Sequence, residues 1–138
     1  MDASVAFKWL IPEAAEEDVP AAKAILRDSM EGRVRISVPA LLYYEVSNVF
    51  LFGRSRPQKD AAALALNELF SIPLLVVPLT PESADLAVSL ASTYDLSFYD
   101  ASYVALAAEL DCTLITADQR LLRKARRENR VRLLSGHG

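Results

Sequence analysis

The stretch LITADQRLL (residues 114–122) joins a short apolar strand directly to the start of a helix. Asp118 stands between the two parts, where the strand ends and the helix begins. In α/β folds, binding and catalytic residues collect at the carboxyl ends of strands and at the starts of the helices that follow. The stretch therefore predicts an α/β fold and marks Asp118 as a candidate functional residue.

The same alternation of strands and helices extends along the chain. Hydrophobic periodicity and turn residues predict helices at residues 3–10, 19–31, 39–52, 58–71, 81–94, 97–110 and 119–128. They predict a turn at 53–57 and strands at 34–38, 74–77, 113–116 and 131–134. This pattern indicates a three-layer α/β/α sandwich with a largely parallel sheet. With 138 residues and no repeat or linker, the chain is expected to form one domain over residues 1–138.

The composition is that of a folded protein. A hydrophobic content of 52% with 24% charged residues excludes disorder as the main description. The longest apolar run, residues 72–79, is too short to span a bilayer, and the first residues lack the features of a signal peptide. We therefore expect a soluble cytoplasmic protein with no membrane partner. The single cysteine, Cys112, is expected to be a buried structural thiol.

The net charge is only −3, but the charges are segregated along the chain. No lysine or arginine occurs at residues 60–118, whereas a basic run follows: Arg120, Arg123, Lys124, Arg126, Arg127, Arg130 and Arg132. Such a run is either a solvated surface or a surface that contacts phosphates beside an acidic centre. The candidates for phosphate contact are Arg123, Lys124 and Arg127. The acidic residues at 13–18 are expected to form a solvated loop.

Three acidic residues stand at predicted helix starts. Asp2 precedes the first helix, Asp100 lies in the first turn of its helix, and Asp118 begins another. Helix capping or the helix dipole explains each of them singly, and Ser97 with Asp100 has the spacing of a capping box. A shared site at the strand ends explains all three together. Both interpretations stay open at the level of sequence.

Glu45 requires a different explanation, because it lies within an apolar helix. On a wheel of 3.6 residues per turn, its side is shared by Leu41, Leu42, Val49 and Phe52. An unpaired carboxylate there costs several kcal/mol, so it must reach solvent at a rim, pair with a base or bind a cation. Pairing is disfavoured, because the segments predicted to pack nearby contain no base.

A divalent cation would satisfy all of these acids if they met at one site. Two carboxylates about 4 Å apart repel by roughly 4 kcal/mol at an effective dielectric constant near 20. All-oxygen ligands with no histidine or cysteine favour Mg²⁺ or Mn²⁺ over zinc. Such ions lower the pKa of an attacking water and stabilise a leaving oxygen. The acids therefore predict metal-dependent phosphoryl chemistry.

Four stretches of the chain resemble the PIN-domain ribonucleases, and within that superfamily the VapC-type toxins of toxin–antitoxin pairs. The stretches are DASVAFKWLIPE (2–13), PALLYYEVSNVF (39–50), LSFYDASYVALAAEL (96–110) and LITADQRLL (114–122). In this order they span nearly the whole chain. Family members generally have several apolar residues before the first acid, which form a strand, whereas only Met1 precedes Asp2 here.

The resemblance implies a role for particular residues. The implied metal ligands, for Mg²⁺ or Mn²⁺, are Asp2, Glu45, Asp100 and Asp118. The implied supporting residues are Ser4, Asn48 and Thr116. The resemblance also implies cleavage of single-stranded RNA, assembly as a homodimer and an antitoxin partner that covers the site.

Two other classes of function stay open. One is a PIN-fold interaction module with impaired catalysis, which the short segment before Asp2 supports. The other is a receiver-like phosphoacceptor domain, which also gathers acids at strand ends. The second class needs a lysine after a late strand, and the absence of bases at residues 60–118 argues against it.

Overall fold

The computed structural model describes residues 1–12, 15–52 and 59–136. Within these ranges, seven helices and four short strands follow one another along the chain. The elements are α1 (Ala3–Trp9), α2 (Val19–Met30), β1 (Ser37–Pro39), α3 (Leu41–Phe52), α4 (Lys59–Ser71), β2 (Leu75–Val77), α5 (Pro81–Tyr94), α6 (Phe98–Glu109), β3 (Leu114–Thr116), α7 (Gln119–Lys124) and β4 (Val131–Leu133). A 3₁₀ turn at Leu134–Gly136 follows.

Every predicted helix and strand is present, but several bounds differ from those expected. The helix predicted to start at Pro39 begins at Leu41, because Pro39 pairs with Val77 of β2 as the last residue of β1. The strand predicted at 34–38 begins only at Ser37, because the Val34 amide donates to the Asp28 carbonyl at the end of α2. The helix predicted to reach residue 128 ends at Lys124, and a turn follows. The turn predicted at 53–57 lies outside the described residues.

Local signals set the helix bounds, and α5 illustrates them. Thr80 lies at the N-cap, and its hydroxyl accepts a hydrogen bond from the Ser83 amide (3.1 Å). Pro81 occupies the first helical position, where its missing N–H costs nothing. At the other end, Asp95 adopts a left-handed conformation (φ 52°), which ends the helix.

The strands form two parallel pairs. In one pair β1 lies beside β2 with Ser37 opposite Leu75, and in the other β3 lies beside β4 with Leu114 opposite Val131. The Asp2 amide donates to the Ile115 carbonyl (3.2 Å), so the residues before α1 run beside β3 without forming a strand of their own. The α/β class with parallel strands and an α/β/α arrangement is therefore confirmed.

The core fixes α6 between the strands and α5. Seven consecutive residues, 101–107, are buried, as expected for a helix that is apolar on all sides. Ala87 of α5 packs against Ala101 and Ala105 of α6, and these small side chains let the two helices approach closely. The burial of α6 directs its first turn, which carries Asp100, toward the carboxyl ends of the strands.

Two further findings bear on the sequence expectations. Cys112 is exposed rather than buried, because it lies in the turn after α6 and β3 begins only at Leu114. In that turn Asp111 takes a left-handed conformation (φ 48°). None of the described helices has the length and apolar character needed to cross a membrane.

Trp9 ties α1 to α2, and its substitution tests this contact. The buried indole N–H donates to the Ala22 carbonyl (3.0 Å). We expect Trp9→Phe to lower the free energy of unfolding by about 1 to 3 kcal/mol, from the lost hydrogen bond and lost packing. The measurement is the urea midpoint. Tyr44→Phe, at a residue 72% exposed, is the control and should change stability by less than about 0.5 kcal/mol. Equal midpoints for Trp9→Phe and the parent protein would contradict the assigned role.

Candidate active site

A cavity of about 390 Å³ opens where α1, α6 and α7 begin. Five acidic residues line it: Glu16, and the four acids singled out above, Asp2, Glu45, Asp100 and Asp118. Ser4 and Tyr103 also line this pocket. The structure therefore brings the four acids singled out in the sequence to one place, at the carboxyl end of β3.

Asp2 is the most enclosed of these acids. Its Oδ1 atom accepts hydrogen bonds from the Ser4 amide (3.1 Å) and the Ser4 hydroxyl (2.5 Å), so it caps α1. Burial raises the pKa of the Asp2 carboxyl, while the hydroxyls of Ser4 and Thr116 and the terminal amino group act in the opposite direction. Burial therefore disfavours the charged form of Asp2, whereas the hydrogen bonds and the amino group favour it.

Two hydroxyls connect Asp2 to the segment that carries Asp118. The Ser4 hydroxyl accepts a hydrogen bond from the Ala117 amide (2.8 Å). Thr116 is fully buried, and its hydroxyl accepts from the Asp118 amide (2.9 Å). The structure thus places Ser4 and Thr116, both expected as supporting residues, between the starts of α1 and α7.

Asp118 caps α7 with a single oxygen. Its Oδ1 accepts from the amides of Arg120 (2.7 Å) and Leu121 (3.3 Å). The hydrogen bonds of the described residues leave Oδ2 of Asp118 without a donor. Capping and ligand binding are therefore compatible at this residue, because each uses a different oxygen.

The capping box predicted for α6 is only half formed. The Ser97 hydroxyl accepts from the Asp100 amide (3.0 Å). In the described part of the chain, no reciprocal bond joins the Ser97 amide to the Asp100 carboxylate. Capping therefore explains Ser97 but leaves the carboxylate of Asp100 at the pocket without a local partner.

Glu45 has a hydroxyl partner rather than a base. The buried phenol of Tyr103 donates to Oε2 of Glu45 (2.6 Å), and no ion pair in the described ranges involves Glu45. Burial raises the pKa of Glu45, and the nearby charges of Asp100 and Asp2 raise it further, while the Tyr103 hydrogen bond lowers it. Burial and the contact with Glu45 also raise the pKa of Tyr103.

Sequence reasoning missed Tyr103, although a signal was present. Tyr103 follows Asp100 by three residues on α6, so both side chains lie on one helix face. A phenol on the face of a candidate acid is a hydrogen-bond donor for the site. Its partner Glu45, 58 positions earlier in the chain, becomes visible only in the fold.

The apolar face of α3 differs from the one that the helical wheel predicts. Its buried residues are Leu42, Val46 and Phe50. Val49 and Phe52, expected beside Glu45 in the core, are 42% and 74% exposed. Glu45 is half-buried at the margin of the buried face, where it reaches the pocket, because the core contacts only one side of α3.

Asn48 does not line the pocket. It is exposed on α3, whereas Glu45, one turn earlier, faces the cavity. The rotation of about 60° between residues three apart on a helix is enough to separate the two side chains. The structure therefore does not bring this expected supporting residue to the acids.

The acidic run before α2 is not simply a solvated loop. Lys8, buried on α1, forms ion pairs with Glu16 and with Asp18 (2.7 Å to Oδ1). Burial lowers the pKa of Lys8, but its bonds to Asp18 and Glu16 outweigh this effect and raise the pKa above its ordinary value. Glu16 and Lys8 both line the pocket. Glu13, in the same run, lies outside the described residues.

The basic run begins beside the site, where the Arg120 amide bonds to Asp118, and its later part lies at the other end of β3. The amide of Leu114 donates to the Arg130 carbonyl (2.9 Å), which places this segment beside the start of β3, whereas Asp118 follows its end. Lys124 pairs with Asp95 (2.5 Å) and Arg130 with Asp111 (2.5 Å). The structure does not bring Arg123, Lys124 or Arg127 to the pocket.

The donor set and the charge of the pocket fit a hydrated divalent cation. Among the described residues, no three acidic, histidine or cysteine side chains form a closed metal cluster, so the acids meet less tightly than the sequence analysis assumed. Mg²⁺ keeps several waters and takes only one or two carboxylates directly, so it does not need a closed cluster. The repulsion that raises the pKa of Glu45 is the kind that a cation relieves.

Comparison with known proteins gives a family match. A family model described as PIN domain matches residues 1–127. No curated protein is significantly similar to the chain.

The raised pKa of Glu45 leads to a stability prediction for metal-free protein. Because the pKa is higher in the folded state, the contribution of Glu45 to stability is full below its ordinary value of 4.5 and is lost as pH rises through the folded value. Glu45→Gln keeps the volume and an acceptor for Tyr103 but has no charge. In EDTA at neutral pH, we expect this variant to unfold at the same or a higher urea concentration than the parent protein.

The higher urea midpoint of Glu45→Gln relative to the parent protein should disappear as the pH falls below 4.5, because Glu45 is then protonated in both folded and unfolded protein. Glu68→Gln, at an exposed acid of α4, is the matched control and should show no such trend. Destabilisation by about 3 to 5 kcal/mol would instead indicate a buried salt bridge at Glu45 and would contradict the assignment.

Proposed function

The chain belongs to the PIN domain family, and from this premise we propose that it is a metal-dependent endoribonuclease that cleaves phosphodiester bonds of single-stranded RNA. PIN domains are generally nucleases. The observation that carries the proposal is the meeting of four carboxylates from separate segments in one pocket. The residues that we assign to catalysis and metal binding are Asp2, Glu45, Asp100 and Asp118.

The proposed cofactor is Mg²⁺ or Mn²⁺. When bound, such an ion supplies an activated water and neutralises charge on the phosphate. PIN domains generally use divalent metal ions, and the all-oxygen donor set of the pocket suits both candidates. The four carboxylates would hold the ion, directly or through its waters.

The residues around the carboxylates orient them. Ser4 holds Asp2 and contacts the segment before Asp118, and Thr116 holds the backbone of Asp118. Tyr103 fixes the position of Glu45 through one hydrogen bond. The starts of α1, α6 and α7 carry partial positive charge, which favours carboxylates at these positions. Asp2, Glu45 and Asp118 are thus oriented by the fold itself.

We further propose that this single domain acts in the cytoplasm as the toxin of a VapBC-type pair, with an antitoxin and a second copy of the chain as partners. The four stretches that resemble VapC-type toxins support the subtype. The large apolar side chains exposed on two neighbouring helices, α3 and α4, support protein partners. On α3 and α4 these side chains are Tyr44, Leu51, Phe52, Leu64 and Phe70.

The alternatives differ from the enzyme in features of the pocket. A receiver-like domain needs a lysine after a late strand, whereas the pocket lysine, Lys8, comes from α1 and is paired with acids. A PIN-fold interaction module accounts for Asp2 and Asp118 as helix caps but not for Glu45 and Asp100, whose carboxylates cap no helix. Purified protein that binds neither metal nor RNA would favour the interaction module.

Cleavage of single-stranded RNA by the Asp100→Asn variant tests the proposed function. The amide of the substituted residue still donates to Ser97, so the fold should persist, while the carboxylate is lost. We expect cleavage to fall at least 100-fold. Millimolar Mg²⁺ should raise the melting temperature of the parent protein more than that of the variant, because an ion bound only by the native acids stabilises by mass action.

Asp85→Asn is the matched control, because Asp85 is an exposed acid of α5 that does not line the pocket. This control should cleave RNA at the rate of the parent protein. Full activity of Asp100→Asn, or a parent protein that shows neither cleavage nor a shift with Mg²⁺ or Mn²⁺, would disprove the proposal.

We propose that the basic run, residues 120–132, contacts RNA outside the pocket. Lys124 is held by Asp95, so Arg123 and Arg127 should carry most of this contact. Replacing Arg123, Lys124 and Arg127 with glutamine should weaken RNA binding. The slope of log K for binding against log salt concentration should become less steep by about 1.4, the value for two lost phosphate contacts on a single strand. Replacing Arg27 and Lys23 of α2 is the control. An unchanged salt slope would identify the basic run as a solvated surface.

A further inference from the structure

Lys8 is the cation that faces the acidic pocket. It lies one turn after Ser4 on α1, its side chain is only 7% exposed, and it is the one lysine or arginine among the described residues that line the cavity. A buried lysine beside four carboxylates would be expected to pair with one of them. Instead, its partners Glu16 and Asp18 come from the segment before α2.

The two partners of Lys8 are not equivalent. Asp18 is largely buried (26% exposed), and it occupies the N-cap position of α2 without making a side-chain cap bond. It gives up a favourable helix cap and contacts Lys8 instead. One carboxylate neutralises one ammonium, so Asp18 alone meets the structural need.

Glu16 adds a second negative charge that the ion pair does not need. Its side chain is 48% exposed, and it lines the pocket next to Lys8. Because Asp18 stays paired with Lys8 and Glu16 is half-exposed, moving Glu16 away leaves no buried charge unpaired. Glu16 can therefore leave Lys8 at small cost when another anion is offered.

An RNA phosphate is such an anion. The four carboxylates repel the RNA backbone, so substrate needs a fixed cation in the pocket as well as a metal ion. We propose that Lys8 contacts a phosphate of the RNA substrate and that Glu16 takes the place of this phosphate in the free protein, which makes Glu16 an internal competitor of the substrate. This inference rests on the proposed ribonuclease function, because it assigns a substrate contact to the same pocket.

Glu16→Gln separates the competitor role from general electrostatics. Its matched control is Glu17→Gln, which removes the same charge from the neighbouring exposed residue that does not line the pocket. A fluorescent single-stranded oligonucleotide is titrated against both variants in the Asp100→Asn background with Mg²⁺, so that binding is measured without cleavage. We expect Glu16→Gln to bind about 3- to 10-fold more tightly than Glu17→Gln. Equal affinities, or weaker binding by Glu16→Gln, would overturn the proposal.

Lys8→Met tests the phosphate contact, with Lys23→Met as the charge-matched control. We expect Lys8→Met to weaken oligonucleotide binding about 10-fold. The slope of log K for binding against log salt concentration should become less steep by about 0.7, the value for one lost phosphate contact. Lys8→Arg should restore both. A purely structural lysine would lower the melting temperature and leave the salt slope of the remaining folded protein unchanged, which would overturn the proposal.

The failure of this inference can be distinguished from failure of the proposed function. Cleavage of RNA by the parent protein together with equal binding by Glu16→Gln and Glu17→Gln would remove only the role of Glu16 and Lys8. A parent protein that cleaves no RNA would remove the proposed function. Absence of any oligonucleotide binding in the Asp100→Asn background would overturn the inference on its own.

Discussion

The burial and crowding of carboxylates around one pocket is the constraint to which the rest of the structure is adapted. Burial raises the pKa of Asp2 and of Glu45, and the charges of Asp100 and Asp2 raise that of Glu45 further. Such a site costs folding free energy, because charges are partly desolvated and face one another. The fold meets this cost mainly with neutral donors: helix starts, hydroxyls and a phenol, with the terminal amino group beside Asp2. Lys8, the lysine that lines the pocket, is bound to other acids.

A few hydroxyl groups connect the site to the core. The Ser4 hydroxyl donates to Asp2 and accepts from the Ala117 amide, so one oxygen joins the start of α1 to the loop after β3. Thr116, fully buried at the end of β3, holds the Asp118 amide. Ser4 and Thr116 thus connect Asp2 and Asp118 to the end of β3. A movement of β3 relative to α1 would displace both of these acids together. The short strands thus act mainly as a frame for the helix starts.

Much of the fold could be predicted from sequence because its signals are local. Thr80 and Pro81 mark the start of α5, and the alternation of strands and helices gives the parallel α/β class. The pairs Tyr103–Glu45 and Lys8–Glu16 could not be predicted, because each joins segments whose packing is decided by the core. The acidic run before α2 was expected to be a solvated loop, because its pairing with Lys8 of α1 also depends on how these segments pack. The wheel of α3 failed because it assumes that every apolar residue is buried, whereas only one side of α3 meets the core.

Capping and catalysis are not rival explanations for the acids at the helix starts. Asp118 receives two amides on Oδ1, and the same residue lines the pocket. Asp100 shows the more informative case, since its spacing from Ser97 would permit a closed capping box but its carboxylate does not form one. A cap bond is worth about 0.5 to 2 kcal/mol to a helix. Ser97 makes this bond to the Asp100 amide, so α6 is capped without the Asp100 carboxylate, whose charge also disfavours the ionised form of Glu45. Local stability given up at one point of a pocket is the pattern expected of a residue kept for function.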